Sequence, residues 1–270
     1  MPACSPGGRE PGVTTAPVAI VTAAGRGIGE ACAPQLAARG YALALMSPSG
    51  ASTRLASELG GIGIDGSVTS PEALRRLVDA TLARFGRIDA VINNTGRHGP
   101  LLESFGLGPR PALTAARLSY DPDYAPALVD VPDGAWHAGL DLLVLNAVRM
   151  ARLVTETMVR QGKGAIVNLS GMESLEPRQV YPIAPLRLAL HGFTKLYADR
   201  YARHGIRMNS VLPGVIENVE PDEGLLKAIP AGRFGALAEI AKTVAFLVSD
   251  DAGYITGQGI LVDGGLNRGV

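Results

Sequence analysis

Thr22, Gly25, Gly27 and Gly29 have the types and spacing to hold a diphosphate. They follow the apolar run Val18-Ala19-Ile20-Val21 and open a helical pattern, with Arg26 and Ile28 inside the same turn. Glycines at such a turn let the backbone approach a pyrophosphate, and the free N–H groups of the helix start meet its charge. Dinucleotide folds often end the second strand in an acidic residue that binds ribose hydroxyls and repels a 2′-phosphate. Here that segment is Met46-Ser47-Pro48-Ser49, without Asp or Glu, so the hydroxyls of Ser47 and Ser49 favour NADP(H) over NAD(H). A second group of residues carries proton chemistry. Glu173 and Glu176 follow Ser170 in a loop bordering the expected cleft, and each is a candidate acid or base or an ordinary solvated carboxylate. His98 suits a proton shuttle or is a solvent-facing loop residue. The fork of N–H donors on Arg187 suits a ribose, a phosphate or a substrate carboxylate, or a plain salt bridge.

The elements that must position these groups alternate. Short apolar runs at 18–21, 41–46, 62–64 (weakly), 88–93, 165–169, 206–212 and 260–262 read as strands buried on both faces. Between them, helical patterns cover 30–39, 71–85, 136–160, about 185–204 and 237–249. Pro71 fits a first helical turn with Ser70 as its cap. Strands and helices in alternation imply right-handed crossovers and a parallel sheet with helices on both faces. Residues 97–133 break the rhythm: this Pro- and Gly-containing stretch is far longer than the ~2–6 residues usual for such connections. It follows a strand, hence lies at the carboxyl edge where ligands bind, and reads as a substrate lid or as a surface or subunit-contact insertion.

Bulk properties narrow the partners. With 270 residues and 47% apolar content the chain can bury a large core as one domain, 17–270, behind a flexible tail, 1–16. Formal charge is zero and the basic residues are scattered, so no concentrated field attracts nucleic acid or an anionic membrane. No signal-type or membrane-spanning apolar run is present, which points to a cytoplasmic protein with a small-molecule substrate. Cys4 and Cys32 have neither disulfide nor zinc-ligand spacing, and no metal site is expected.

Thr22-Ala23-Ala24-Gly25-Arg26-Gly27-Ile28-Gly29, Asn93-Asn94-Thr95-Gly96, Pro213-Gly214-Val215-Ile216 and the segment 254–265, ending Val262-Asp263-Gly264-Gly265, stand in an order and spacing that resembles the short-chain dehydrogenase/reductase family. The resemblance implies a single Rossmann-like domain, a doubly wound parallel sheet. It implies that Arg26 contacts a 2′-phosphate and that Asn94, Thr95 and Gly96 support the adenosine ribose. The family's adenine motif, Asp-Val-Thr, reads Ser67-Val68-Thr69 here; Ser67 then bonds the nucleotide or caps a turn. Pro213, Gly214 and the Ile216 backbone would carry the carboxamide contact, with Asn218 where the family has Thr. The carboxyl-terminal segment resembles a subunit contact and implies a homotetramer, with a homodimer as the smaller alternative.

In that family a Tyr hydroxyl exchanges a proton with the substrate oxygen, a Lys one helical turn along supports it and holds the ribose, and a Ser orients the carbonyl. Counting from Ala165-Ile166-Val167-Asn168-Leu169 places the Ser at Ser170, the Tyr at Ile183 and the Lys at Arg187. Gly192-Phe193-Thr194-Lys195 fits the same frame without a gap, and the family's helix Asn falls on Leu143. Ile183 cannot exchange a proton, and a guanidinium is not a readily tuned base. Tyr181 is the substitute acid or a pocket-lining aromatic. Asn146, one turn beyond Leu143, restores a water-holding role or bonds a kinked helix. Three functions follow: an NADP(H)-dependent carbonyl reductase or alcohol dehydrogenase with a relocated proton donor, a non-redox lyase, isomerase or cyclase, or a nucleotide-binding homologue without turnover.

Overall fold

Strands that are apolar on both sides can be buried only if helices cover each face of their sheet. The computed structural model describes residues 14–95, 103–105, 128–177, 181–217 and 223–269. The strands are β1 (Val18–Val21), β2 (Ala42–Ser47), β3 (Ile62–Asp65), β4 (Ala90–Asn93), β5 (Gly164–Leu169), β6 (Ile206–Pro213) and β7 (Gly259–Val262). They form one parallel sheet in the order β3-β2-β1-β4-β5-β6-β7. The order reverses between β1 and β4, the switch point where a crevice opens beyond the strand ends.

Helices α1 (Gly27–Ala37), α2 (Ala51–Glu58), α3 (Pro71–Phe85), α4 (Asp133–Leu140), α5 (Asn146–Gln161), α6 (Ile183–Tyr201), α7 (Glu223–Ala228) and α8 (Leu237–Val248) connect or flank the strands. Successive side chains of a strand face opposite ways, and the core divides accordingly. Ala19 and Val21 of β1 pack with Cys32 and Leu36 of α1 and Ile240 and Val244 of α8. Ile20 packs on the other side with Leu74 and Leu77 of α3 and Met150 and Val154 of α5. Cys32 is fully enclosed and its thiol is pushed up to about 12 by burial, which makes it an inert core residue.

The expected helix starts hold where a cap exists: the Ser70 hydroxyl accepts the Ala73 N–H at 3.1 Å and Pro71 opens α3. Two departures have local causes. The short α2 was not legible because it buries only Ser52 and Ala56, too little for an apolar stripe. The single long helix expected over 136–160 contains a π turn at Asp141–Leu145. There the Asn146 side-chain amide donates to the Leu142 carbonyl, the usual partner of its own backbone N–H, and that N–H passes back to Asp141. An Arg149–Asp141 ion pair of 2.5 Å spans the turn. Of the long insertion, the described part places the Phe105 ring where a side chain on Gly134 would begin, at 2.8 Å. Among the described residues no helix is long and apolar enough to cross a membrane.

Candidate functional site

The switch-point crevice is floored by the glycine turn between β1 and α1. Thr22 ties that turn to the end of β4: its hydroxyl donates to the Asn94 carbonyl at 2.7 Å and accepts the Asn94 N–H at 3.0 Å. Asn94 Nδ2 returns a bond to the Ala23 carbonyl at 3.1 Å. The glycines are required by space. A Cβ on Gly25 would stand 2.8 Å from Ser47 Oγ, and one on Gly29 would stand 2.6 Å from both the Ala23 carbonyl oxygen and Asn94 Nδ2. Gly27 adopts φ 61° and faces open space, so its backbone is free to approach a ligand. The residues present therefore fit a dinucleotide diphosphate at this helix start.

Ala23 is in the left-handed region at φ 48°. A non-glycine residue costs roughly 1–2 kcal/mol there. Ala23→Gly is expected to raise stability by about 0.5–1 kcal/mol after the extra chain entropy of glycine is subtracted. Calorimetry should show a melting temperature higher by about 1–4 °C; a lower value would mean that the methyl makes contacts worth more than the strain.

The remaining nucleotide candidates separate by exposure. Arg26 and Ser49 are exposed, and Ile28 is half-buried against the α1 face of the core. The Ser47 hydroxyl is buried, donates to Ser52 Oγ at 2.9 Å and accepts the Ser52 N–H at 3.2 Å. Ser67 accepts the Thr69 N–H at 3.2 Å and shares a 2.8 Å bond with Thr69 Oγ1, a turn-closing arrangement, while Val68 is buried. Thr95 is half-buried just beyond β4. Gly96, His98 and Asn218 lie outside the described residues.

After β6, Gly214 packs on Asp263, where a Cβ would stand 2.6 Å from the Asp263 Cβ. Gly235 N–H donates to Val215 O at 3.0 Å and Glu217 N–H to Gly235 O at 2.9 Å, forming an Ile216–Gly235 parallel bridge. In that pattern the N–H and C=O of Ile216 itself point to the opposite edge.

Beyond β5 the chain folds into a short 3₁₀ turn, Met172–Ser174. Ser170 is nearly buried, and its hydroxyl shares a 2.7 Å bond with Ser174 Oγ. The backbone at Gly171 is extended, which sends the side-chain directions of 170 and 171 to opposite sides. On the Gly171 side lies an ion pair: Arg187 Nη1 donates to Glu173 Oε2 at 2.6 Å, with the two side chains 15% and 7% exposed. A Cβ on Gly171 would fall within the guanidinium, 2.6 Å from Arg187 Cζ, and against Glu173 Oε2. Of the candidate residues, the structure thus joins Glu173 to Arg187, sets Ser170 on the far side of the strand end, and uses the Asn146 amide to close the π turn. Tyr181, half-buried, precedes Pro182 at the head of α6. Ile183 is fully buried and shares an apolar cluster with Leu143, Ala147, Leu186 and Leu190.

A polar relay that the spacing did not reveal crosses the sheet beneath the site. Asn93 Nδ2 donates to Asn168 Oδ1 at 2.8 Å, and Asn168 Nδ2 donates to Thr194 Oγ1 at 2.9 Å. Thr194 Oγ1 also shares a 3.0 Å bond with Ser210 Oγ and donates to Leu190 O. It couples β4, β5, α6 and β6 just behind Ser170. The available signal was polar residues interrupting otherwise apolar strand runs.

Two family models match the chain: "short chain dehydrogenase" over residues 17–109 and "Enoyl-(Acyl carrier protein) reductase" over residues 115–267. The chain is 32% identical over 261 residues to the 3-oxoacyl-[acyl-carrier-protein] reductase FabG of Escherichia coli, covering 92% of this chain and 96% of the relative. It is 32% identical over 267 residues to the 3-oxoacyl-[acyl-carrier-protein] reductase of Synechocystis, covering 93% and 97%. The crystal structure of acetoin dehydrogenase from Enterobacter cloacae superposes with a TM-score of 0.76 at 30% identity, covering 95% of this chain and 98% of the other.

Proposed function

Because this chain belongs to the short-chain dehydrogenase/reductase family of oxidoreductases, we propose that it interconverts a carbonyl and an alcohol on a small molecule with NADP(H), through an atypical proton-handling set. The observation that carries this reading is the cradle at the switch point, where Gly25 and Gly29 leave no room for a side chain and Thr22 and Asn94 hold the turn to β4. The nicotinamide would supply the hydride chemistry; the chain's own residues hold it and manage the proton. Gly25, Gly27 and Gly29 would face the diphosphate, Arg26 and Ser49 are the exposed groups for a 2′-phosphate, and the outward N–H and C=O of Ile216 would hold the carboxamide. At the places usual for Tyr and Lys stand Ile183 and Arg187, which leaves Glu173, Glu176 and Tyr181 as the candidate acids and bases among the described residues before and at the head of α6. The 97–133 stretch, most of which lies outside the described residues, is proposed as a substrate lid, with a surface or subunit-contact insertion as the alternative.

A fluorescence titration with the two reduced coenzymes tests this. NADPH is expected to bind at least tenfold more tightly than NADH, and a panel of carbonyl substrates should then oxidise it. Equal affinities would remove the 2′-phosphate assignment, and binding without turnover would remove the redox reading. A second reading, a non-redox or inactive nucleotide-binding homologue, is favoured by the burial of Ile183 and Leu143 in one apolar cluster. We further propose a cytoplasmic homotetramer. Leu188 and Leu196, 48% and 71% exposed, lie one above the other on α6 with Gly192 between them, an apolar strip suited to a second copy.

A further inference from the structure

The charged centre at the carboxyl end of β5 is the ion pair, and it has a built position. Arg187 reaches back from the first turns of α6, and Glu173 reaches up from the 3₁₀ turn after Ser170. They meet over Gly171, the residue directly after Ser170, in the space where any other residue type would place its Cβ. Both side chains are largely withdrawn from water, so neither behaves as a surface charge whose pairing contributes little. A buried pair is poor evidence of stabilisation, because apolar residues of similar volume serve a core at least as well. Such a pair here, beside the fully apolar Ile183 cluster, calls for a chemical reason. The protein sets a carboxylate beyond the carboxyl end of β5, the edge of the sheet where ligands bind, with a guanidinium fixing its direction.

We propose that Glu173 is the proton acceptor and donor of this site, and that Arg187 is its positioning residue across Gly171. The inference rests on the oxidoreductase reading above. In the oxidation direction the substrate O–H bond breaks and its proton forms an O–H bond on the Glu173 carboxylate. A bound oxidised nicotinamide would supply the acceptor for the hydride of the same carbinol carbon, so that its C–H bond would be exchanged for the second bond of C=O while the proton stays on Glu173. Reduction returns the proton from the Glu173 carboxyl to the new alcohol oxygen. Arg187, held by Glu173 through Nη1, acts through that carboxylate. Glu173 is assigned in preference to Tyr181 because it is Glu173 that shares the Gly171 space with the cation of α6.

The experiment measures kcat, KM, reduced-coenzyme affinity by fluorescence and melting temperature for wild type, Glu173→Gln, Glu173→Asp and Glu173→Ala, with Tyr181→Phe alongside. General acid–base groups contribute ~10²–10⁴-fold. Glu173→Gln is therefore expected to lose at least about 100-fold in kcat, with KM and coenzyme affinity changed less than about threefold. Glu173→Asp keeps a counter-charge for Arg187, so it folds even if the amide variant does not, and it should lose at least about tenfold. Added formate should restore part of the Glu173→Ala turnover, which loss of a purely structural contact would not allow. The proposal is overturned if Glu173→Gln or Glu173→Asp keeps half of the wild-type kcat, or if formate gives no rescue of a folded, coenzyme-binding Glu173→Ala. A collapse of turnover in Tyr181→Phe but not in the Glu173 variants would transfer the role to the phenol. Wild type that binds coenzyme yet turns over no substrate would sink the parent reading, and this one with it; wild-type turnover with intact Glu173 variants sinks this one alone.

Discussion

Gly29→Val is expected to abolish coenzyme binding while leaving a folded protein. Its Cβ would lie 2.6 Å from the Ala23 carbonyl oxygen and 2.6 Å from Asn94 Nδ2, distances that real Cβ contacts do not reach. The clash is with backbone on one side and, on the other, with the amide that ties the glycine turn to β4. The Asn94–Ala23 bond must open and α1 must move off the strand ends, which displaces the N–H groups that would face the diphosphate. Overpacking of this kind costs about 1–3 kcal/mol of stability. The loss in NADPH affinity should be larger, at least about 100-fold, equivalent to about 3 kcal/mol. Circular dichroism separates the two effects: a native spectrum with no coenzyme-dependent fluorescence is the expected outcome. Undiminished NADPH affinity would show that the diphosphate is not held at this turn.

Asn168→Ala should produce the largest loss of stability among single substitutions near the site. Asn168 is fully buried, accepts from Asn93 and donates to Thr194, so truncation leaves the Asn93 amide without its acceptor inside the sheet. An orphaned buried polar group costs about 1–3 kcal/mol, and the empty volume adds to it. A total of about 3 kcal/mol corresponds to a melting temperature about 6–12 °C lower. Urea unfolding of Asn93→Ala, Asn168→Ala and the double variant checks the cause. Because the two residues share one bond, the double variant should cost less than the sum of the singles. Strict additivity would show that Asn168 acts through volume alone.

The glycine turn was readable because its constraint is local. A phosphate-binding turn needs glycine wherever backbone crowds backbone, and spacing along the chain records that need directly. The strands were readable for a similar reason: β1, β4 and β5 are buried on both faces, and continuous apolar runs announce them. The short α2 escaped because its burial is too slight to leave a period, and the π turn escaped because it depends on one side-chain amide choosing a backbone carbonyl. Ser47 shows the limit for site residues. Its hydroxyl was legible as a polar group at the end of β2, but that it is spent on Ser52 is a fact of packing.

The candidate proton set divides in the same way. Counting located Ile183 and Arg187 in the chain, and chemistry alone said that neither exchanges a proton readily. Counting could not say that Arg187 turns back over Gly171 to Glu173, fourteen residues away, or that Ser170 faces Ser174 instead.

By itself, then, the order of residues determined a doubly wound parallel sheet and the place of a glycine-rich turn between β1 and α1, because hydrophobic period and glycine sterics act over a few neighbours. The tertiary structure alone decided which polar groups meet: Glu173 with Arg187 over Gly171, and Asn93 with Asn168, 75 positions apart. Those partnerships depend on strand register and on the direction each side chain leaves its strand, quantities set only when the sheet has closed and both of its faces are packed.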